Sequence, residues 1–232
     1  MAFKIALTAG HYIGTSGKRC LKKLDPEETR EWWLNDRIAD KVEKLLQAYT
    51  GYELLRTDDT TGKKDIALAN RTKAANNFKA DFYLSIHHNA GINGGSGGGI
   101  VAYVYKKASA EAIEWQKALY NALIEATGLK GNRSNPLPKA NLHEVRETKM
   151  PAVLLELGFM DSKTDVPIIL TEEYADKCAG AIVKVLVERG KLTKKPAETK
   201  LWRVQVGAYS KRENAEKVAK ALKNDGYDAI IV

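Results

Sequence analysis

Cysteine is scarce: the 232 residues hold two, Cys20 in a polar stretch and Cys178 inside an amphipathic pattern. Two cysteines cannot make a disulfide framework, so both thiols are expected to be free. Long apolar runs are missing as well. No stretch approaches the roughly 20 residues of a membrane span, and the opening MAFKIALTAGHYIGTSGK is too short in its apolar part for a secretory signal. The expectation is a chain made in the cytoplasm, with no membrane span. Helix-turn-helix and zinc-finger patterns are absent, as are exposed aromatics interleaved with basic residues, which sets nucleic acid aside as a partner. HExxH, which would place two histidines on one helix face, does not occur.

What is present is ordinary globular material, 44% hydrophobic and 28% charged, enough for one sizeable core and a small appendage. The net charge is +8, from 37 Lys and Arg against 29 Asp and Glu. Half of that excess sits in residues 193–232, with nine basic against five acidic side chains. Such a tail suits an anionic polymer surface.

Phe3 to Thr8 is a short apolar run ending in Ala9-Gly10-His11, a buried strand that delivers a histidine into a loop. Asp25-Pro26-Glu27-Glu28 has the composition of a helix start, and Leu34, Ile38, Val42, Leu45 and Leu46 carry one apolar face towards Tyr49. Tyr52 to Arg56 reads as a strand, Ile66 to Phe78 as a helix, and Phe82 to Ile86 as a second apolar strand ending in histidine. After the glycine-rich segment 91–99 come strand Ile100 to Tyr105, helix Ser109 to Thr127, the run Ala152 to Leu155 and helix Thr171 to Arg189. Strands alternating with helices predict an α/β fold, a mostly parallel twisted sheet with helices on both faces. Residues 1–190 form the expected first domain, 191–200 a charged linker, and 201–232 a small β-α-β unit.

Ligand sites of parallel sheets lie at the carboxyl ends of strands. Three such ends carry His11, His87 and Glu156, a donor set suited to zinc. Glu156 follows four apolar residues, where a carboxylate is costly to bury without a cation or a proton. Glu31, four residues before Asn35 and seven before Ile38, is the best further ligand; Glu27, one turn earlier, is its rival.

Several blocks together resemble the zinc amidases of the amidase-3 family across residues 3 to 190: TAGHYIG, REWWLNDRIADKVEKLL, SIHHNA and PAVLLELGFMDSKTD. The first block departs from the family in having Thr8-Ala9 where Asp-Pro is usual. The resemblance implies zinc bound by His11, Glu31 and His87, with Glu156 catalytic. It further implies hydrolysis of the amide between N-acetylmuramic acid and L-alanine of peptidoglycan. The rival activity for the same metal site is a zinc peptidase cutting within the stem peptide.

Asn89 is a candidate substrate-binding group, and Arg146, in NLHEVRET, a candidate for a stem-peptide carboxylate or for pairing with Glu144 or Asp161. His88 and His143 are candidates for lining the groove. The tail, LWRVQVGAYSKRENAEKVAKALKNDGYDAIIV, resembles the first half of a sporulation-related repeat, a wall-binding module. One β-α-β unit is too small for a self-sufficient core, which allows a homodimer in which two copies share a sheet. Wall action would then follow release through a holin-type pore or mother-cell lysis.

Overall fold

The computed structural model describes residues 2–196 and 204–231. It divides into two compact units, 1–195 and 196–232. In the first unit the elements are β1 (Phe3–Ala9), α1 (Glu31–Leu46), β2 (Tyr49–Thr50), β3 (Tyr52–Arg56), α2 (Leu68–Phe78), β4 (Phe82–Asn89) and β5 (Ile100–Tyr105). There follow α3 (Ala110–Thr127), β6 (Lys139–Ala140), α4 (His143–Glu147), β7 (Ala152–Phe159), α5 (Val166–Ile169), α6 (Glu172–Gly190) and β8 (Thr193–Lys194).

Six strands form one sheet in the order β3-β1-β4-β7-β5-β6. Its centre is parallel, β3 with β1, β1 with β4 and β4 with β7, whereas β5 runs antiparallel to β7. The carboxyl ends of β1, β4 and β7 therefore share one edge.

Period-two alternation sorts side chains between the two faces. Ile5 and Leu7 of β1, Phe82, Leu84 and Ile86 of β4, and Val153, Leu155 and Leu157 of β7 enter the main core with α1, α3 and α6. The opposite face is thinner and more polar. There Ala6, Tyr83 and Leu154 meet Ala75 of α2 and Val145 of α4, and Thr8, Ser85 and His87 lie buried on the same side. On α1 the fully buried Leu34, Ile38, Val42 and Leu46 each contribute about 1.5–3 kcal/mol by leaving water.

The first helix starts later than the Asp25-Pro26 signal predicts. Asp25 turns its carboxylate onto the N–H groups of Glu27 at 3.3 Å and Thr29 at 2.7 Å, a local alternative to a helical first turn. Glu28 then takes a positive φ of 51°, and Arg19 bridges Arg30, so the helix begins only at Glu31. Residues 191–195, read from sequence as the start of a linker, are tied to the first unit instead. Leu192 is buried and β8 pairs antiparallel with β2.

In the second unit, α7 (Arg212–Asn224) stands where a helix was expected. The predicted flanking strands differ. Among the described residues 204–231 no strand ladder forms, and Val204, Val206, Tyr227, Ile230 and Ile231 are exposed. Residues 201–203 and 232 of those strands lie outside the described residues. A two-copy sheet finds no support in this arrangement.

Candidate active site

His11 stands one residue beyond Gly10, which follows β1, at a left-handed φ of 68°, a backbone state that needs support in a non-glycine residue. Arg71 of α2 supplies it. The buried guanidinium donates to Thr8 Oγ1 at 3.0 Å, the Ala9 carbonyl at 2.6 Å and the His11 carbonyl at 2.9 Å, clamping the end of β1. Gly10 is needed for a different reason: a Cβ there would run into the His87 imidazole.

His87 and Glu156 are register partners across the parallel β4–β7 pair, so both project from the thin face at the same level. Glu31, the first residue of α1, is fully buried and meets both histidines. Its Oε1 lies 3.3 Å from His11 Nε2 and 3.1 Å from His87 Nδ1. The two imidazoles stand edge to face with centroids 5.0 Å apart. One donor atom from each of His11, Glu31 and His87 lies within 4.8 Å of the others. Glu27 takes no part in this group.

The titratable groups of this cluster act strongly on one another. Burial alone would raise Glu31, yet hydrogen bonds from His11 and His87 and their charge hold its carboxyl well below the usual range. Burial disfavours the His87 imidazolium, but Glu144 and Glu31 on either side push it up to about 10. Glu156 is raised to about 7 by burial, with Glu31 and Glu144 adding to the rise while His87 and Lys18 oppose it. Two buried carboxylate oxygens, Glu31 Oε2 and Glu156 Oε2, have no hydrogen-bond partner among the described residues. Lys18 Nζ is 3.5 Å from the first of them. Unsatisfied buried carboxylate oxygens beside two imidazoles match the hard and borderline donors that zinc takes, so these residues fit that ion.

The other candidates make contacts of their own. Asn89 turns its Oδ1 back onto the Ala90 N–H at 2.8 Å, a turn-capping contact. Arg146 pairs with Glu147 at 2.6 Å and with Asn141 at 3.2 Å, and with neither Glu144 nor Asp161. His88, one residue past His87, points to the opposite face of β4. Its Nδ1 lies 2.8 Å from Asn35 Oδ1, and burial lowers its pKa to about 3, so it is a neutral core residue and lines no groove. His143 is half-buried with Nε2 3.5 Å from Thr72 Oγ1. The glycine-rich segment is pinned. Asp161 Oδ2 accepts the N–H groups of Gly91, Ile92 and Asn93, and Asp165 accepts that of Gly99.

Sequence reasoning missed Glu144 and Arg71. Glu144 of α4 is buried and accepts from Tyr83, Ser85 and His87. The signal was available: Tyr83, Ser85 and His87 are donors at i, i+2 and i+4 of one strand, so they share a face that calls for an acceptor. For Arg71 it was its place among Leu68, Thr72 and Ala75, at the i+3 and i+4 spacings of one helix side.

Beside Glu156, in register on β5, Val101 opens a groove of about 430 Å³ that continues past Tyr103 to Asn132, Arg133 and Pro138.

Residues 5–188 match the family model described as N-acetylmuramoyl-L-alanine amidase. The chain belongs to this family. Among its relatives in the family, the sporulation-specific N-acetylmuramoyl-L-alanine amidase of Bacillus subtilis (strain 168) is 33% identical over 190 residues, 81% of this chain and 70% of the relative. Solved family structures share the fold. An N-acetylmuramoyl-L-alanine amidase from Clostridium difficile 630 superimposes with a TM-score of 0.71 at 26% identity, covering 81% of this chain and 96% of that one. The catalytic domain of CwlV from Bacillus (Paenibacillus) polymyxa var. colistinus gives 0.68 at 27%, covering 81% and 97%. Residues 172–232 match the SPOR domain, overlapping the amidase match along α6. No helix among the described residues is long and apolar enough to cross a membrane.

Proposed function

We propose that this chain hydrolyses the amide bond between N-acetylmuramic acid and L-alanine of peptidoglycan, with zinc as cofactor. The observation that carries the reading is the meeting of His11, Glu31 and His87 at one edge of the sheet, with Glu156 in register beside His87. His11, Glu31 and His87 would hold the ion. A zinc ion so held supplies Lewis acidity, polarising the scissile carbonyl and making a water acidic near pH 7.

Glu156 works as the base. Its carboxyl, with one oxygen shut off from solvent and unpartnered, takes a proton from the attacking water and returns it to the departing nitrogen of L-alanine. A proton affinity poised near neutrality suits both transfers. The groove from Val101 to Arg133 gives an extended stem peptide room beside that carboxylate. Residues 1–195 carry the chemistry, and residues 201–232, joined through 196–200, hold the enzyme on the wall. The +4 net charge of 193–232 supports that assignment.

Digestion of purified sacculi tests the reading. Mass spectrometry should find new free L-alanine amines on the stem and intact cross-links. New amines within the stem peptide would reject the amidase in favour of a peptidase.

A further inference from the structure

We propose that Glu144 is a positioning residue that fixes which nitrogen of His87 faces the metal site. The inference rests on the zinc reading above for the identity of the ion, but its grounds are the hydrogen bonds around one side chain. Glu144 is buried on α4, over the thin face of the sheet. Its Oε1 accepts from Tyr83 OH at 2.7 Å, and its Oε2 accepts from Ser85 Oγ at 3.1 Å and lies 3.3 Å from His87 Nε2.

A carboxylate only accepts, so Nε2 carries a hydrogen aimed at Glu144, and in the metal-free chain Nδ1 likewise donates to Glu31 Oε1, 3.1 Å away. An ion held beside Glu31 would take the place of that second hydrogen, and with Nε2 engaged by Glu144 the nitrogen left to offer a lone pair is Nδ1. Tyr83 and Ser85 hold the carboxylate still, so it orients the ring and not the reverse. The His11 ring meets His87 edge to face and has no part in choosing the nitrogen. Without Glu144 the imidazole is free to place its hydrogen on Nδ1, a form that cannot ligate from that position. A carboxylate behind a ligating histidine commonly changes metal affinity by about 10–100-fold.

The test uses the full chain. Zinc titration of Glu144→Gln, a replacement of the same size, should show an affinity loss of about 10–100-fold, with an altered visible spectrum when cobalt replaces zinc. Tyr83→Phe removes one of the two bonds that hold the same carboxylate and leaves Ser85 on the oxygen that faces His87; it should lower the melting temperature and cost clearly less zinc affinity than Glu144→Gln, and a loss as large as that of Glu144→Gln would reduce Glu144 to structural support. In the unaltered zinc-loaded chain, ¹⁵N–¹H correlation of His87 should show hydrogen on Nε2 and none on Nδ1, a measurement that stands even if Glu144→Gln fails to fold. Unchanged affinity and spectrum in Glu144→Gln, or zinc on Nε2, overturns the role of Glu144 alone. An unaltered chain that binds no zinc overturns this role together with the metal reading.

Discussion

Replacing Glu156 by glutamine should stabilise the metal-free protein while abolishing its activity. The carboxyl is raised from 4.5 to about 7, chiefly by burial. A folded-state pKa above the unfolded value means that the folded chain holds a proton the unfolded chain has released. Stability from this group is complete below about pH 4.5 and lost as pH rises through about 7. At about 1.4 kcal/mol per unit, the loss has a ceiling of ~3 kcal/mol, and partial solvent access reduces it to about 1–3 kcal/mol. Glutamine keeps the shape without the charge and has no such pH dependence. Melts of the metal-free unaltered and Glu156→Gln chains at pH 4.5, 6 and 8 should diverge as pH rises, reaching about 2–10 °C in favour of glutamine at pH 8. Groups remote from Glu156 cancel in the difference; His87, whose charge opposes the rise of the Glu156 carboxyl, does not, and it keeps the divergence below the ceiling. Parallel curves across that range would refute the burial argument. With zinc present the variant should keep the ion and lose at least about 10²-fold in sacculus hydrolysis, and loss of the ion would make Glu156 a ligand.

Glu31→Ala should weaken zinc binding by orders of magnitude in a calorimetric titration, whereas Glu27→Ala should leave it unchanged, since only Glu31 meets both imidazoles. Arg71→Met should cost about 2–4 kcal/mol in urea denaturation by stranding the Ala9 and His11 carbonyls, and should lower zinc affinity through the loosened His11; an unchanged midpoint would refute the clamp. Cys20 and Cys178 are both pushed up to about 12, first by burial, so a thiol reagent at pH 8 should find no fast-reacting thiol in the native chain and two after unfolding.

Local sequence determined the elements whose signals are local. The apolar runs of β1, β4 and β7 and the three-to-four spacing of α1 are properties of consecutive residues, and burial follows them closely. The strand ends carrying His11, His87 and Glu156 were legible for the same reason, because the edge shared by parallel strands follows from the alternation of strands and helices. Where helix α1 begins was decided by tertiary structure: Cys20 N–H donates to the Thr29 carbonyl and Glu31 N–H donates to the Lys18 carbonyl, so the segment around residues 18–20 overrides the Asp25-Pro26 signal. The Glu31 choice over Glu27 depended on that late start, which puts Glu31 at the sheet edge. Fold-level packing also decided that Glu144, 57 residues from His87 in the chain, reaches the far side of its ring, and that Arg71 reaches the carbonyls of β1. A hydrogen bond between groups so far apart in sequence depends on which helix lies over which strand, and no periodicity within either segment encodes that pairing.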